Sequence, residues 1–414
     1  MSKLYNNFRP YSISFNDFFL SIDNSLTKNQ LNFLGDFFTA MLSSSSINFD
    51  KIALELFSLY PDIKFDSILT RISRFLNNSN NNFHSLFDNV IKHILSNYKV
   101  KHDDNRVFIS FDHMFVKDKF TVFMLSMKIG KQGFPIFFNA FNGKGKEGYG
   151  EAFKLDNIRN ALQHVHDLIK SIDDSIEIVF LADRWFGNFF PLFHFIDKVL
   201  KDSFVFRCKD NFKILYYDKK EKHKIWTELP KLPSLKYHSK FYENLEFTRN
   251  KFQYNLTVCK SADHQERWYL ISNVDPRRAK KFYGYRFGGI ETIFKNQKSN
   301  GFYLEKTGLK HLHAFDNLYS LLCIAVSYYI CLGTDMSKNS GSYKHIGMRT
   351  SKKTSTGNLT RIISLFQSGL KLFKLALSSA KYIRIKFNFK LYDVWINKTH
   401  IKISSTLVGL ICML

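Results

Sequence analysis

The spacing of hydrophobic residues changes once along the chain, near residue 102. From residue 27 to residue 100, apolar side chains recur every three or four positions, which predicts helices. From residue 107 onward, short apolar runs separated by turn-forming residues predict strands. The charged segment 102–106 lies between the two patterns and indicates a domain boundary. We therefore predict a helical N-terminal domain at residues 1–101.

Two short helices in the N-terminal domain are predicted to form a pair. They span residues 47–57 and 65–76 and are joined by a tight turn at Pro61. The second helix carries Arg71 and Arg74 away from its apolar face. This outline is typical of a helix-turn-helix, whose second helix lies in the major groove of DNA. A plain helical bundle explains the same pattern equally well.

Residues 102–212 alternate between predicted strands and helices. Strands at 107–112, 119–129 and 134–141 are followed by a helix at 151–172, a strand at 176–183, a helix at 186–200 and a strand at 203–208. This order predicts an α/β fold with a ribonuclease-H-like core, a mixed sheet flanked by helices in which the first and fourth strands are neighbours. Asp112 and Asp183 each end an apolar run. The predicted sheet therefore brings two carboxylates together.

The second half of the chain completes this core after an interruption. Residues 213–279 contain several alternating stretches, which predict a β-rich insertion. Residues 280–334 are predicted to end the core, with a helix that begins near Ile290 and carries Glu291. Gly288 and Gly289 precede this helix and permit a sharp turn. Residues 335–414 are predicted to form a basic linker and a C-terminal helical region, with a helix at 359–373.

Composition narrows the class of partner. The 414 residues are 45% hydrophobic, enough for a large core, and 60 Lys and Arg against 36 Asp and Glu leave a net charge of +24. Such a charge favours a polyanion such as nucleic acid, although an anionic membrane would satisfy it too. The first ten residues lack the apolar region of a signal peptide. The apolar segment 318–333 is shorter than the ~20 residues that span a bilayer, so we predict that it is a buried core helix. With no CxxC pair among the cysteines, we predict a cytoplasmic protein without a membrane span.

Three acidic residues are candidates for phosphodiester chemistry. Two divalent ions about 4 Å apart can activate the nucleophile, neutralise the phosphate and support the leaving oxygen. Mg²⁺ prefers carboxylate oxygens, which Asp112, Asp183 and Glu291 would supply, and Mn²⁺ can substitute. Lys295 and Lys298 follow Glu291 at i+4 and i+7 on one helix face. An Asp after a strand is more often a turn residue, so the prediction depends on all three acids meeting.

These residues also resemble a known family. Tyr283, Arg286, Glu291 and Lys298, followed by Ser-Asn-Gly, are similar to the Tyr-Arg-Glu-Lys segment of bacterial insertion-sequence transposases of the IS-four family, which have a DDE triad. The runs ISFD at 109–112 and LADRWFG at 181–187 resemble the segments around the first and second Asp. The family has three residues between Arg and Glu, whereas this chain has four. Tyr285 is therefore an alternative match to Tyr283.

The resemblance implies a DNA transposase of an insertion sequence, a mobile element. Its expected activity is Mg²⁺-dependent DNA cleavage at terminal inverted repeats, followed by strand transfer into double-stranded target DNA, by a homodimer on paired ends. The alternatives are a catalytically inactive DNA-binding or regulatory derivative and a related nuclease without strand transfer. In hairpin-forming relatives a Trp at the position of Trp268 stacks on a flipped base, whereas a strand Trp is more often a core residue. The residues expected to contact DNA are Arg71, Arg74, Arg184, Arg207, Trp268, Tyr283, Tyr285, Arg286, Lys295 and Lys298.

Overall fold

Five helices form the N-terminal part of the molecule. The computed structural model describes residues 2–98, 105–143, 149–218, 223–232, 239–247, 252–260, 266–299, 301–339, 351–353, 359–361, 363–378 and 389–392. The five helices are α1 (Ser2–Ile22), α2 (Lys28–Ser44), α3 (Phe49–Phe57), α4 (Phe65–Asn77) and α5 (Phe83–Ser96). The side chains of Thr27 and Gln30 cap each other's backbone amides at the start of α2. The predicted pair α3 and α4 is confirmed as two helices, whereas α1 was not predicted.

Ten strands form one mixed sheet beside these helices. The first five are β1 (Arg106–Val116), β2 (Phe120–Ile129), β3 (Gln132–Asn142), β4 (Glu177–Ala182) and β5 (Ser203–Cys208). The other five are β6 (Lys213–Asp218), β7 (His223–Glu228), β8 (Lys240–Phe247), β9 (Phe252–Lys260) and β10 (Arg267–Ser272). Their order in the sheet is β3-β2-β1-β4-β5-β10-β9-β8-β6-β7. The predicted α/β class is confirmed.

The first and fourth strands are neighbours, as the sequence predicts. β1 pairs with β4 in parallel and with β2 antiparallel, and β4 pairs with β5 in parallel. Between β3 and β4 lie α6 (Tyr149–Ala152) and α7 (Leu155–Ile172). Between β4 and β5 lie a 3-10 turn (Phe186–Asn188), α8 (Phe190–His194) and a π-helical turn (Phe195–Leu200). Parallel neighbours require such helical crossovers.

The strands predicted as a β-rich insertion do not form a sheet of their own. β10 pairs antiparallel with β5, so β6 to β10 extend the sheet that begins with β1 to β5. β8 was not predicted, because its sequence KFYENLEF alternates poorly and contains a bulge at the left-handed residue Asn244. The boundaries of the predicted domains stay predictions.

The sheet has two different faces. Residues paired across neighbouring strands lie on the same face, and so do residues two apart on one strand. We call the face of Asp112 the acid face. Beneath α9 (Pro276–Gly284), it carries a small apolar cluster separate from the main core. The members of this cluster are Phe108, Val179, Leu181, Val205, Cys259, Leu270, Ala279, Phe282 and Tyr283.

The C-terminal part of the described chain returns to helices. It contains α10 (Ile290–Lys298), a 3-10 turn (Leu304–Lys306), α11 (Leu312–Lys338), the short strands β11 (Ser351–Lys353) and β12 (Leu359–Arg361), and α12 (Leu365–Ser378). α11 is long and apolar enough to cross a membrane, but 94% of its most apolar window is buried inside the protein. The prediction of a buried core helix is confirmed. The predicted start of a helix at Leu359 is wrong, because residues 359–361 pair with β11 and the helix begins at Leu365.

Candidate active site

The three predicted acids meet around one arginine. The guanidinium of Arg286 donates hydrogen bonds to Asp112 Oδ2 and Glu291 Oε1, each at 3.0 Å, and lies 3.9 Å from Asp183 Oδ2. The Arg286 side chain is 7% exposed, whereas Asp112, Asp183 and Glu291 are 25%, 32% and 52% exposed. Three acids from segments up to 179 positions apart in the sequence, from residue 112 to residue 291, therefore converge on a single cation.

Asp112 lies inside its strand. The parallel pairing of β1 with β4 ends at Ser110 and Leu181, but β1 continues beside β2 as far as Val116. The prediction that Asp112 ends its strand is therefore wrong, because β2 supplies partners for four further residues. What ends just before Asp112 is the pairing with β4, and this leaves room beside its carboxylate.

Asp183 follows β4 directly, as predicted. Its Oδ1 accepts a hydrogen bond from the backbone amide of Trp185 at 2.8 Å, which fixes the turn into the next helical segment. The side chain of Asp183 thus leaves one oxygen for the turn and points the other toward Arg286. This arrangement holds the carboxylate near the end of the parallel pair β1 and β4.

A left-handed glycine and one close backbone approach position Glu291. Gly288 has φ +67°, a conformation that favours glycine, and Gly289 lies against Gly133 of β3. A β-carbon on Gly133 would lie 2.4 Å from the carbonyl oxygen of Gly289. The Thr292 hydroxyl donates to the Gly289 carbonyl oxygen at 2.7 Å. The turn before α10 is therefore fixed to the sheet, and Glu291 in the first turn of α10 faces Arg286.

Burial and charge shift the protonation of this site. Burial raises the pKa of Asp112 to about 6; Arg286 opposes this shift, and Asp183 and Glu291 add to it. Burial alone would lower the pKa of Arg286, but Tyr283 and the three carboxylates raise it above its usual value. Burial lowers the pKa of the Lys128 ammonium to about 8, although Glu291 opposes the shift. The site therefore concentrates charges that water does not fully solvate.

The donor set suits a hard cation, and the guanidinium stands where such a cation would be held. Three carboxylates within 3.9 Å of one positive group are the ligand type that Mg²⁺ prefers. Among the residues that the structure describes, no three His, Cys, Asp or Glu side chains lie close enough together to hold a metal ion. Here Arg286 takes the place between them, so a metal would have to replace its guanidinium.

A cleft of about 340 Å³ opens beside Asp183. The Trp268 ring stacks on Phe287 with centroids 5.4 Å apart, and the Arg207 guanidinium lies 5.6 Å from the Trp268 ring centroid. Arg207 also forms an ion pair with Glu266. The cleft is lined by Asp183, Arg184, Arg207, Glu266, Trp268, Tyr283, Arg286 and Phe287. Aromatic and cationic groups in one cleft can hold a planar base and a phosphate.

The other predicted DNA contacts are placed in three groups. Arg184, Arg207, Trp268 and Tyr283 line the cleft, with the Tyr283 side chain buried in the apolar cluster of the acid face. Lys295 is exposed on α10, Lys298 pairs with Glu305 at 3.0 Å, and Tyr285 lies against Phe108. Arg71 and Arg74 are exposed on α4, and Arg71 lies 4.3 Å from the centroid of the Phe33 ring. Their roles in DNA binding stay predictions.

Sequence reasoning missed three residues of the site. Lys128 donates to the Phe287 carbonyl oxygen at 2.8 Å, and Glu266 and Phe287 line the cleft. A single lysine inside the apolar run FTVFMLSMKI was a visible signal for Lys128. Glu266 and Phe287 carried no comparable signal. Comparison of the chain with protein-family models and with curated proteins gave no match.

Proposed function

We propose that this protein is a DNA transposase that cleaves transposon ends and joins them to target DNA by a two-metal DDE mechanism. The observation that carries the proposal is the convergence of Asp112, Asp183 and Glu291 on Arg286, from three separate segments and in a basic molecule. The net charge of +24 supports a polyanionic substrate. A homodimer acting on paired ends is part of the proposal.

The strand order supports a ribonuclease-H-like core. In the first half of the sheet the order is β3-β2-β1-β4-β5, with β1 and β4 parallel and β1 to β3 antiparallel. The first acid lies on β1, the second follows β4, and the third lies on a helix packed near β1 and β3. This combination is the one that the sequence resemblance implies.

Each residue of the site has a distinct part in the proposed reaction. Asp112, Asp183 and Glu291 would hold Mg²⁺, which when bound supplies nucleophile activation and charge neutralisation at the phosphate. Arg286 already lies among the acids, so it can exchange their oxygens for those of a phosphate as DNA arrives. The stacked rings of Trp268 and Phe287 line the cleft, and a displaced base would bind against this aromatic pair.

One observation favours a second function, that of a DNA-binding derivative without catalytic activity. The Arg286 guanidinium takes the central position among the carboxylates with two hydrogen bonds of 3.0 Å. If the guanidinium never leaves, the acids hold an arginine instead of a metal, and the same surface binds DNA without cutting it. A nuclease that cuts without strand transfer is the third outcome of the experiment below.

A plasmid assay distinguishes these functions. The substrate carries the DNA that flanks the coding region on both sides, and the products are followed with Mg²⁺, with Mn²⁺ and with a chelator. We expect joined products for a transposase, cleavage alone for a nuclease and binding alone for an inactive derivative. Asp112→Asn and Glu291→Gln should bind the same DNA and not cut it. Cleavage by Asp112→Asn at the wild-type rate would refute the assignment of the acids.

A second variant tests the phosphate contacts. Lys298→Ala removes one half-buried cation on α10 and should reduce the salt dependence of binding by about one phosphate contact. Its partner Glu305 lies 3.0 Å away and is half exposed, so the loss of this ion pair changes stability by less than ~1 kcal/mol. Unchanged salt dependence would remove Lys298 from the DNA-binding surface.

A further inference from the structure

The acid face continues as one surface from Asp112 to the far edge of the sheet. Cross-strand partners link its residues in the order Ser110, Leu181, Val205, Ser272 and Asn255, and Ser110 is two residues from Asp112. Gln253 lies two residues from Asn255 on β9, and the series of cross-strand partners continues from it through Glu246, Leu215 and Trp226. The exposed rings of Trp226 and Tyr217 therefore lie on the same face as the candidate active site.

Helix α9 covers the middle of this surface. It packs against β5, β8, β9 and β10 and buries Ala279, Phe282 and Tyr283. At its C-terminus it leads directly into the loop that carries Arg286 into the acid cluster. Whatever binds the outer side of α9 therefore lies next to the candidate active site.

The outer side of α9 is strongly basic. Its sequence PRRAKKFYG contains four cations and no acidic residue, and Arg277, Lys280 and Lys281 are exposed. Arg277 lies three and four residues before Lys280 and Lys281, spacings at which like charges on a helix repel one another. Arg277 is compensated by Glu243 at 3.5 Å, which belongs to β8. A short helix with this repulsion is suited to a polyanion.

The hairpin of β6 and β7 ends the surface with aromatic rings and more lysines. Tyr217 and Trp226 are 53% and 45% exposed, and Lys213 and Lys224 are exposed on the same face. Large exposed rings beside cations are typical of nucleic-acid contacts. From β1 to β7 the sheet crosses seven strand spacings of about 4.8 Å, or roughly 34 Å. This length corresponds to about ten base pairs.

We propose that the acid face is the track for duplex DNA next to the cleavage site, with α9 binding phosphates and the β6–β7 hairpin contacting the far end. This inference rests on the proposed function, because it takes DNA as the substrate. It adds residues for which the sequence gave no expectation, namely Lys280, Lys281, Tyr217 and Trp226. The positive charge of α9 complements a polyanion. The surface is long enough for about ten base pairs and its residues lie on one face of the sheet, which suits a DNA duplex.

Equilibrium binding of a 30-base-pair duplex of arbitrary sequence, measured over a range of salt concentrations, tests the proposal. Replacing Lys280 and Lys281 together by Gln should reduce the magnitude of the slope of log K against log salt by about 2. If the two proteins bind equally at about 1 M salt, the variant should bind roughly 60-fold more weakly than wild type at about 0.1 M salt. Replacing Tyr217 and Trp226 together by Ala should weaken binding several-fold with the slope unchanged, since no charge is removed.

The matched control is a second pair of lysines on another element. Lys371 and Lys374 are exposed and three residues apart on α12, which packs against α11 rather than on the acid face. Their replacement by Gln should leave the slope unchanged. Thermal unfolding of each variant shows whether its fold is intact, which matters here because Lys281 also lies 5.8 Å from the centroid of the Tyr285 ring. A wild-type fold with weaker DNA binding would therefore report a lost contact.

The outcomes separate this inference from the proposed function. If the wild-type protein cuts DNA and the Lys280 and Lys281 variant binds with the wild-type slope, the track is refuted and the function stands. If the α12 variant loses as much slope as the α9 variant, binding is distributed over the whole basic surface and the track is also refuted. If the wild-type protein binds no DNA at all, the proposed function itself fails.

Discussion

Arg286 is the cation shared by the three carboxylates of the acid cluster, and the effect of its removal on the free energy of unfolding can be calculated. In the Arg286→Gln variant the carboxylates of Asp112, Asp183 and Glu291 lose their shared cation. Removing one partner of a buried ion pair costs about 3–5 kcal/mol, because the remaining charge is left unpaired. Arg286 is only 7% exposed, but the acids are 25–52% exposed and keep part of their hydration. We therefore expect the low end of this range, about 3 kcal/mol.

The assay is thermal unfolding at neutral pH in a chelating buffer. For a chain of 414 residues, an unfolding entropy of about 2.1 cal/mol/K per residue converts about 3 kcal/mol into a decrease in Tm of roughly 3–4 °C. The matched control is Arg184→Gln. Its guanidinium is 62% exposed and 4.0 Å from Glu266, so the loss should be under ~1 kcal/mol and under about 1 °C.

Adding Mg²⁺ distinguishes a metal site from a plain ion-pair cluster. Without the guanidinium, the three carboxylates repel one another, and a divalent ion that binds only the folded protein stabilises it by mass action. About ten times the Kd of Mg²⁺ adds about 1.4 kcal/mol. We expect Mg²⁺ to raise the Tm of Arg286→Gln by more than that of wild type, in which Arg286 competes with the ion. Equal Tm values for the Arg286 and Arg184 variants, or no response to Mg²⁺, would refute this reasoning.

Three further predictions concern Asp183, a buried lysine and a close backbone approach. Asp183→Asn should bind DNA as wild type does and show no Mg²⁺-dependent nicking in a plasmid assay; normal nicking would exclude it as a catalytic acid. Folding lowers the pKa of Lys128 from 10.5 to about 8. Between pH 8 and pH 10.5 the unfolded chain therefore binds more protons at this residue than the folded protein does. The free energy of unfolding rises with pH across this range, by up to about 3 kcal/mol. Lys128→Met should remove that rise from denaturation curves recorded between these pH values, and a rise identical to wild type would contradict the assignment. Gly133→Ala should lower both Tm and the rate of cleavage, because its β-carbon would lie 2.4 Å from the Gly289 carbonyl oxygen. Gly284→Ala is the control, because a β-carbon on Gly284 would have no atom within 4 Å. Equal effects of the two substitutions would argue against the close approach.

The elements of the core could be predicted from the sequence because apolar runs bounded by turn-forming residues mark its strands, and apolar spacings of three and four mark its helices. β1 to β5 and the helix at Ile290 lie close to their predicted positions. β8 could not be predicted, because its bulge at Asn244 interrupts the alternation. The joining of β10 to β5 could not be predicted either, since an edge strand can pair with any exposed edge and local sequence does not choose between them.

The acidic residues of the site could be predicted from the sequence, whereas the position of Arg286 between them could not. Asp112, Asp183 and Glu291 were identified by type and spacing, and the structure brings them together around one group. Arg286 was expected at a DNA phosphate, but the fold buries it among the three acids, where its guanidinium pairs with Asp112 and Glu291. Such a long-range ion-pair cluster depends on tertiary packing, which no local pattern encodes.

The order in which the chain is synthesised also has a consequence for when the acid cluster can form. The pairing of β1 with β4 joins residues about 70 positions apart, and the third acid follows more than 100 residues after the second. Contacts of such long sequence separation form slowly and late in folding. A nascent chain that has not yet passed residue 291 lacks one of the three carboxylates. Under the proposed function, truncated or half-folded copies would lack the complete acid cluster, and cleavage would require the full set of three carboxylates.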